Sequence, residues 1–277
     1  KALKGADQLG KVKVVGFDEN DATLQGIKEG TVEGTVVTNP FMFGYKSIEV
    51  LNELKKGNAK VIPQDGIINV PVRAIRQDNV DEFWAAVKRH RQGGQPVDPQ
   101  EGKPLFAFVS NGVDPFWDMA KAGALKAASE LGVNVEVHMP LPPLDQTPIL
   151  KTLVDRGVDG IAVSPIDLTG QKTFLQEIAK KTILITQDGD VPDSNRRVFI
   201  GMDNYESGRL CGKLVKEALP KGGKVMVFVG RLDLESAKKR QQGLIDELKE
   251  TGKIAPVTEP VPHAPQKGLV AYYPFNG

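Results

Sequence analysis

From residue 104 onward the chain alternates short runs of β-forming residues with amphipathic stretches of helical spacing, and this rhythm constrains the fold more than any other feature. "PLFAFVS" reads as a strand. "DPFWDMAKAGALKAASELG" reads as a helix with Met119, Ala122, Leu125, Ala128 and Leu131 on one stripe and Gly132 to end it, and "VNVEVHM" as the next strand. The series continues through helix "QTPILKTLVDRG", strand "GIAVSP", helix "LTGQKTFLQEIAKK" and strands "TILITQD" and "VFIGMD". It ends in helix "NYESGRLCGKLVKEALP", strand "KVMVFVG" and helix "LESAKKRQQGLIDELKE". Strands that alternate with helices build parallel sheets covered on both faces, joined by right-handed crossovers.

The residues before this series repeat its grammar. "KALKGADQLG" is a helical stub, "KVKVVGFD" a strand, "NDATLQGIKEG" a helix, "GTVVTNP" a strand and "GYKSIEVLNELKKG" a helix. "GIINVPVRAI" then reads as one strand and "NVDEFWAAVKRHR" as a closing amphipathic helix. Between the two series, "QGGQPVDPQEGKP" (92–104) has the Gly, Pro and polar content of a linker. "TEPVPHAP" (258–265) is too rich in proline for a helix or an inner strand and breaks the rhythm where a helix is due.

With 277 residues, 40% of them hydrophobic, the chain can bury the cores of two ordinary lobes. Its 36 Lys and Arg nearly balance 35 Asp and Glu, and no basic stripe is interleaved with aromatics, which argues against a nucleic-acid partner. Apolar runs such as "KVMVFV" (224–229) fall far short of the ~20 residues that span a bilayer. No secretory leader pattern is present in the chain. The single cysteine, Cys211, is spaced beside Leu210 and Leu214 as a buried structural thiol would be, with no second Cys to bridge. No GxxxxGK[ST] or GxGxxG offers a seat for a nucleotide cofactor. His90, His138 and His263 are scattered without the spacing of a metal site or a nucleophile pair, so the expectation is no cofactor, no metal and no catalytic group.

In doubly wound sheets ligands bind at the carboxyl ends of the strands. Those ends carry Asn111, Asp114, Phe116 and Trp117 after "FAFVS", Asp188 after "TILITQ", Asp18 after "KVVGF", and Thr38 and Asn39 after "GTVV". Arg240 lies on the helix that follows "KVMVFVG". Carboxylates accept from vicinal hydroxyls, Arg and Asn donate to hydroxyl and ring oxygens, and aromatic faces cover the C–H surface of a sugar ring. The set suits an uncharged polyhydroxylated ligand. Of Phe116 and Trp117, one can serve the core instead, but not both. Asp18, Asp114 and Asp188 could supply paired carboxylates for glycoside hydrolysis, yet acid chemistry needs one of them desolvated and Arg240 would hold them ionised, which favours binding without turnover.

Several longer blocks together resemble one family. "FAFVSNGVDPFWDMAKAGALKAASELGVNVEV", "GVDGIAVSPID", "TILITQDGD", "FIGMDNYESGRLCGKLV", "SAKKRQQG" and "KVKVVGFDENDATLQGIKEGTVEGTVVTNPFMFGYKSIEVL" are similar to the periplasmic sugar-binding proteins of the ribose-binding type, which share their fold with the cores of LacI-type regulators. The resemblance covers most of the chain, but in a changed order. The "VVGFD" block, which follows "SAKKRQQG" in the family, stands first here, as a circular permutation would place it. "KGLVAYYPFNG" then resembles the family's strand that ends in a sugar-contacting Asn, here Asn276, and Gly277 would run almost directly into Lys1 in the family's order. The helix before that strand is replaced by the proline-rich stretch, and the helix completed by Lys1 lacks its first turns.

Carried over residue by residue, the resemblance implies sugar contacts at Ser110, Asp114, Phe116, Trp117, Asp188, Arg240, Asn276, Asp18 and Thr38, with Asn111 and Asn39 adjacent to matched positions. Gly189 and Thr38 depart from the Arg and Gln of the ribose binders, so the class of ligand is indicated more firmly than ribose. The resemblance further implies two α/β lobes crossed near Met202, Thr38 and Gly66. One lobe takes 103–202 plus 39–66, and the other takes 203–277 plus 1–38 and 67–78. Residues 79–91 form a terminal helix, and 92–102 a linker joining the family's two ends. The expected protein is a monomeric, non-enzymatic solute receptor of an ABC sugar importer, periplasmic or extracellular, closing on a monosaccharide and recognised by the transporter's membrane subunits, with a chemoreceptor as a further partner. Its rivals are the ligand-binding core of a LacI-type regulator, which needs a helix-turn-helix not found before Pro104 or Lys1, and a sugar-processing enzyme.

Overall fold

The computed structural model describes residues 2–92, 94, 98–141, 145–229, 235–250, 254–256 and 269–272. The chain opens with α1 (Ala2–Gly5), β1 (Val14–Phe17), α2 (Asp21–Lys28), β2 (Gly34–Val37) and α3 (Pro40–Lys55). Next come β3 (Ile67–Asn69), β4 (Arg73–Ile75) and α4 (Val80–Gln92). A regular alternation then runs through β5 (Leu105–Val109), α5 (Pro115–Leu131), β6 (Asn134–His138), α6 (Thr147–Asp155), β7 (Gly160–Val163), α7 (Lys172–Ala179), β8 (Ile183–Gln187) and β9 (Phe199–Gly201). The last elements are α8 (Asn204–Ala218), β10 (Gly223–Val227), α9 (Glu235–Lys249), β11 (Ile254–Pro256) and β12 (Leu269–Tyr272).

The chain divides into two compact units. One holds Lys1–Thr38, Pro71–Ala86 and Asp203–Asn276, and the other Asn39–Val70 and Val87–Met202. The chain passes between them at Thr38, at Val70, within α4 and at Met202.

In the unit that carries residues 105–201 the sheet order is β3-β9-β8-β7-β5-β6, parallel throughout. Counted from β5, its first five strands run 2-1-3-4-5, the doubly wound order in which a crevice opens where the winding reverses. Alternation along β5 explains the two-sided core. Phe106 and Phe108 join Phe43, Ile48, Leu51 and Trp117 on one face, while Ala107 and Val109 join Leu150, Leu153, Leu175 and Ile178 on the other. Helices α3 and α5 thus cover one face and α6 and α7 the other. Gly132, with φ 66°, ends α5 in the left-handed conformation that closes a helix without a Cβ penalty.

In the other unit the order is β11-β10-β12-β1-β2-β4, parallel except that β4 runs antiparallel to β2. The same 2-1-3-4-5 order emerges here only when counting starts at β10 and β1 and β2 are counted after β12. Val14, Val15 and Gly16 of β1 lie in register with Val270, Ala271 and Tyr272 of β12. The core on the α8 and α9 side gathers Val15, Phe17, Val36, Cys211, Leu214, Val225, Leu244 and Leu248. Cys211 is fully buried within it, and burial pushes its thiol up to about 12.

Among the described residues, each unit has a helix pair in which backbone meets backbone. A methyl group at Gly123 of α5 would stand 1.9 Å from the Phe41 carbonyl oxygen of α3, and one at Gly44 would stand 1.8 Å from that of Ala120. Helices α8 and α9 repeat the device: Gly208 faces the Arg240 carbonyl at 2.0 Å and Gly243 that of Tyr205 at 2.1 Å. Only glycine permits such an approach.

Two local readings change. Residues 66–75, read as one strand, form two in different sheets. Val70 makes the last bond of the first, to the Gly201 carbonyl at 2.6 Å, and Pro71 has no amide hydrogen with which to continue the ladder. Helix α3 begins at Pro40, one turn ahead of the periodic stretch, because proline suits the first helical position. The proline-rich residues 258–265 lie outside the described residues. Gly123→Ala is expected to cost about 1–3 kcal/mol through overpacking against α3, seen as a lower urea midpoint; an unchanged midpoint would contradict the close approach.

Candidate functional site

Each unit gathers polar side chains at the carboxyl ends of its strands. In the 105–201 unit the winding reverses between β5 and β7, whose paired ends Val109 and Val163 are followed by Ser110 and Ser164. Ser110 is buried, its hydroxyl donating to the Gly112 carbonyl at 2.6 Å. The two strand ends are stapled by Gln146, which is 1% exposed. Its Nε2 donates to the carbonyls of Ser110 and Ser164, both at 2.7 Å, and its Oε1 accepts from Ile166 N and Gln171 Nε2. The Ser164 hydroxyl is buried with no partner among the described residues.

Asp114 caps α5: its Oδ1 accepts from the amides of Phe116 at 2.8 Å and Trp117 at 3.3 Å, and Oδ2 has no protein partner among the described residues. Burial raises the Asp114 pKa above the ordinary carboxylate value, opposed by these two amides. The adjacent aromatics separate in role. Trp117, counted among the candidate contacts, is 2% exposed and packs with Phe108 in the core; the buried side of the first turn of α5 claims it. Phe116 is half-buried, edge-on to Trp117 at 4.8 Å between centroids, and is the aromatic left at the strand ends. Asn111, in the same loop, is half-buried.

Asp188 ends β8 with φ 59°, a left-handed conformation uncommon for a residue with a Cβ, and its amide donates to the Ile200 carbonyl. Arg196 fastens the loop behind it. The guanidinium forks onto Asp190 at 2.5 and 2.7 Å and reaches the Gly66 carbonyl at 3.2 Å, while Thr186 donates to the same carboxylate. Asn39 stands at the N-cap of α3 without a side-chain capping bond.

In the other unit Asp18 ends β1 as Asp188 ends β8, with φ 67°. Both aspartates therefore finish the fourth strand of a 2-1-3-4-5 sheet, counted as above. The Asp18 amide donates to the Val36 carbonyl, and its own carbonyl accepts from the Thr35 hydroxyl. Arg240 lies with Cζ 5.4 Å above the Phe17 ring, and its Nε donates to Asn204 Oδ1 at 2.7 Å. Thr38, at the end of β2, is 5% exposed, and its hydroxyl has no partner among the described residues. Asn276 lies outside the described residues.

The remaining candidates for reactivity are engaged elsewhere. His90 stacks on Phe41 at 4.4 Å, and His138 pairs with Glu136 on β6; His263 lies outside the described residues. Gln146, Ser164, Arg196 and Asn204 were not singled out from the sequence. Gln146 could have been, since it shares the apolar stripe of Leu150 and Leu153, where a polar residue must be buried and satisfied.

The Asp114 carboxyl gives a test with a defined sign. A raised folded pKa favours the protonated form, so its contribution to stability is complete below the unfolded value and is lost as pH rises through the folded one. At pH 7 the charge is a cost while the cap is a gain. Asp114→Asn is expected to melt at or above the wild type at pH 7, and Asp114→Ala to lose about 1 kcal/mol with the cap. Equal losses in both, measured by thermal denaturation, would contradict the assignment.

Comparisons with known proteins bear on the family and the fold. The chain matches the ribose import binding protein RbsB of Bacillus subtilis with 25% identity over 137 residues, 49% of this chain and 45% of the relative. The matched stretch thus spans just under half the length of that relative. Among solved structures, a solute-binding protein of an ABC transporter from Burkholderia graminis in complex with D-arabinose has a similar fold: TM-score 0.52, 24% identity, covering 63% of this chain and 57% of that one. GanP, a glucose-galactose binding protein from Geobacillus stearothermophilus, gives TM-score 0.51 at 26% identity over 62% of this chain and 59% of its own. The sequence family described as periplasmic binding protein domain matches residues 1–59 and 106–269. With most of its length matched, the chain belongs to the periplasmic binding protein domain family.

Proposed function

We propose that this chain is a monosaccharide receptor that binds without turnover, through polar residues at the strand ends of its units. The observation that carries this reading is that Asp18 and Asp188, two of the three left-handed aspartates among the described residues, each directly follow the equivalent strand of their sheet. Strain of this kind persists where the surroundings hold a residue for use. The strand ends and helix starts of the same sheets carry groups suited to hydroxyls: Asp114 Oδ2, the hydroxyls of Thr38 and Ser164, and the Arg240 guanidinium, with Phe116 as an apolar face. Asn111, Asn39 and Asn276 belong to the proposed set by position. The relatives support the ligand class, since RbsB is named for ribose import and the Burkholderia protein holds D-arabinose.

On this reading, sugar binding favours one form of the receptor, which a membrane transporter recognises in the periplasm or at the cell surface. The strand order supports a further part of the proposal, that the chain is a circular permutation of the family's order, because residues 14–37 take the places after β12. A rearranged gene that places residues 104–277 before 1–92 is expected to give a folded protein of the same sugar affinity; a rearranged chain that cannot fold would oppose it.

Calorimetric titration with D-ribose, D-arabinose, D-allose, D-glucose and D-galactose, with analysis of the sugar afterwards, tests the function. Saturable binding with sugar recovered intact is expected. Conversion of the sugar would contradict the absence of turnover and direct attention to the desolvated Asp114. Asp18→Ala and Arg240→Ala are each expected to weaken binding about 100-fold, as loss of a charged hydrogen bond does. Asp188→Gly is expected to keep stability within about 1 kcal/mol of the wild type, or above it, while losing binding, because glycine relieves the left-handed backbone.

A further inference from the structure

Arginine is long and flexible, and its value to a binding site depends on whether its plane is set before the ligand arrives. Arg240 is held from two sides within its own unit. Its Cζ lies 5.4 Å over the ring of Phe17, itself 3% exposed, and its Nε donates to Asn204 Oδ1 at 2.7 Å. Guanidinium nitrogens can only donate, so the oxygen of the Asn204 amide must be the atom that faces it.

The helix packing explains why Asn204 is within reach. Gly208 lets the Arg240 backbone press against α8, with the Arg240 carbonyl 2.0 Å from where a Cβ would stand. Asn204 lies four residues before Gly208, one turn along the same face, at the first position of α8. Gly243, three residues beyond Arg240, sits against the Tyr205 carbonyl and fixes the register of the two helices. Phe17 is followed directly by Asp18, so the floor under the guanidinium and a carboxylate acceptor come from consecutive residues of one strand end.

We propose that Asn204 is the positioning residue for Arg240, setting the plane in which the guanidinium is presented to a hydroxylated ligand. The proposal rests on the reading that Arg240 binds the sugar, and it goes beyond that reading by assigning how the arginine is preorganised. Asn204 makes no sugar contact in this account. Its effect on affinity passes entirely through Arg240.

A double-mutant cycle, titrated with D-ribose and D-arabinose and accompanied by melting curves, tests this. Asn204→Ala is expected to weaken binding about tenfold with an unchanged melting temperature, and Asn204→Asp, which keeps an acceptor at the same place, to stay within about threefold of the wild type. In the Arg240→Ala background, Asn204→Ala is expected to cost nothing further. Asn204→Leu, of similar size and without an acceptor, serves as a second variant and should behave as Asn204→Ala. The proposal is overturned if Asn204→Ala and Asn204→Leu keep wild-type affinity while Arg240→Ala loses it. It is also overturned if the loss persists in the Arg240→Ala background, or if both variants fail to fold. Wild-type affinity in Arg240→Ala, or no sugar binding by the wild type, would instead remove the sugar reading itself, and the proposal with it.

Discussion

The contact on which both units depend is the approach of two helices to backbone distance. In α3 and α5 it is made by Gly44 and Gly123, and in α8 and α9 by Gly208 and Gly243, each set against a carbonyl where any Cβ would collide. A contact of this kind has one register, since a shift along either helix would drive a side chain into the partner's backbone. The register in turn sets the height of the helix starts. Asp114 and Phe116 sit at the start of α5, Asn39 before α3 and Asn204 at the start of α8, with Arg240 one short turn before Gly243 on α9. The residues assigned to sugar binding are thus placed by the same packing that covers one face of each sheet.

The strand ends supply the other half of the arrangement. Parallel strands buried on both faces have no freedom at their centres, so variation collects at their carboxyl ends. There the ladder stops and side chains take over its work. Gln146 bonds both carbonyls across the gap between β5 and β7, and the Arg196–Asp190 pair closes the loop behind Asp188. These side chains are satisfied by one another, whereas the buried Ser164 and Thr38 hydroxyls, like Gln187 Oε1, have no protein partner among the described residues. Buried polar atoms in that condition call for water or a ligand.

Much of this architecture was legible in the residues. The alternation of strand and helix foretold parallel sheets, and the stripe from Met119 to Leu131 with Gly132 after it marks α5 from its spacing alone. Strand ends could be listed without knowing which strands are neighbours, so Asp18, Asp188 and Asp114 were within reach. What periodicity does not encode is the partner. Ile67–Asn69 and Arg73–Ile75 look like one strand because both halves suit a strand, and only their different neighbours, β9 and β2, separate them. Trp117 and Phe116 are adjacent in a helix start, and which one the core takes depends on Phe108 and Phe43 lying beneath. Gln146 bonds Ser110 and Asn204 bonds Arg240, each across 36 positions, a separation at which local pattern carries no information.

The central proposal is that the strand-end residues bind a monosaccharide, and amide hydrogen exchange measured with and without D-ribose or D-arabinose reads each unit by itself. Exchange reports local opening in each segment separately. The account predicts slower exchange on sugar addition in residues 110–117 and 188–190 of one unit and in 16–20 and around Arg240 of the other, with little change in the Ile67–Asn69 edge strand. Unchanged exchange in all of these segments under saturating sugar would contradict it.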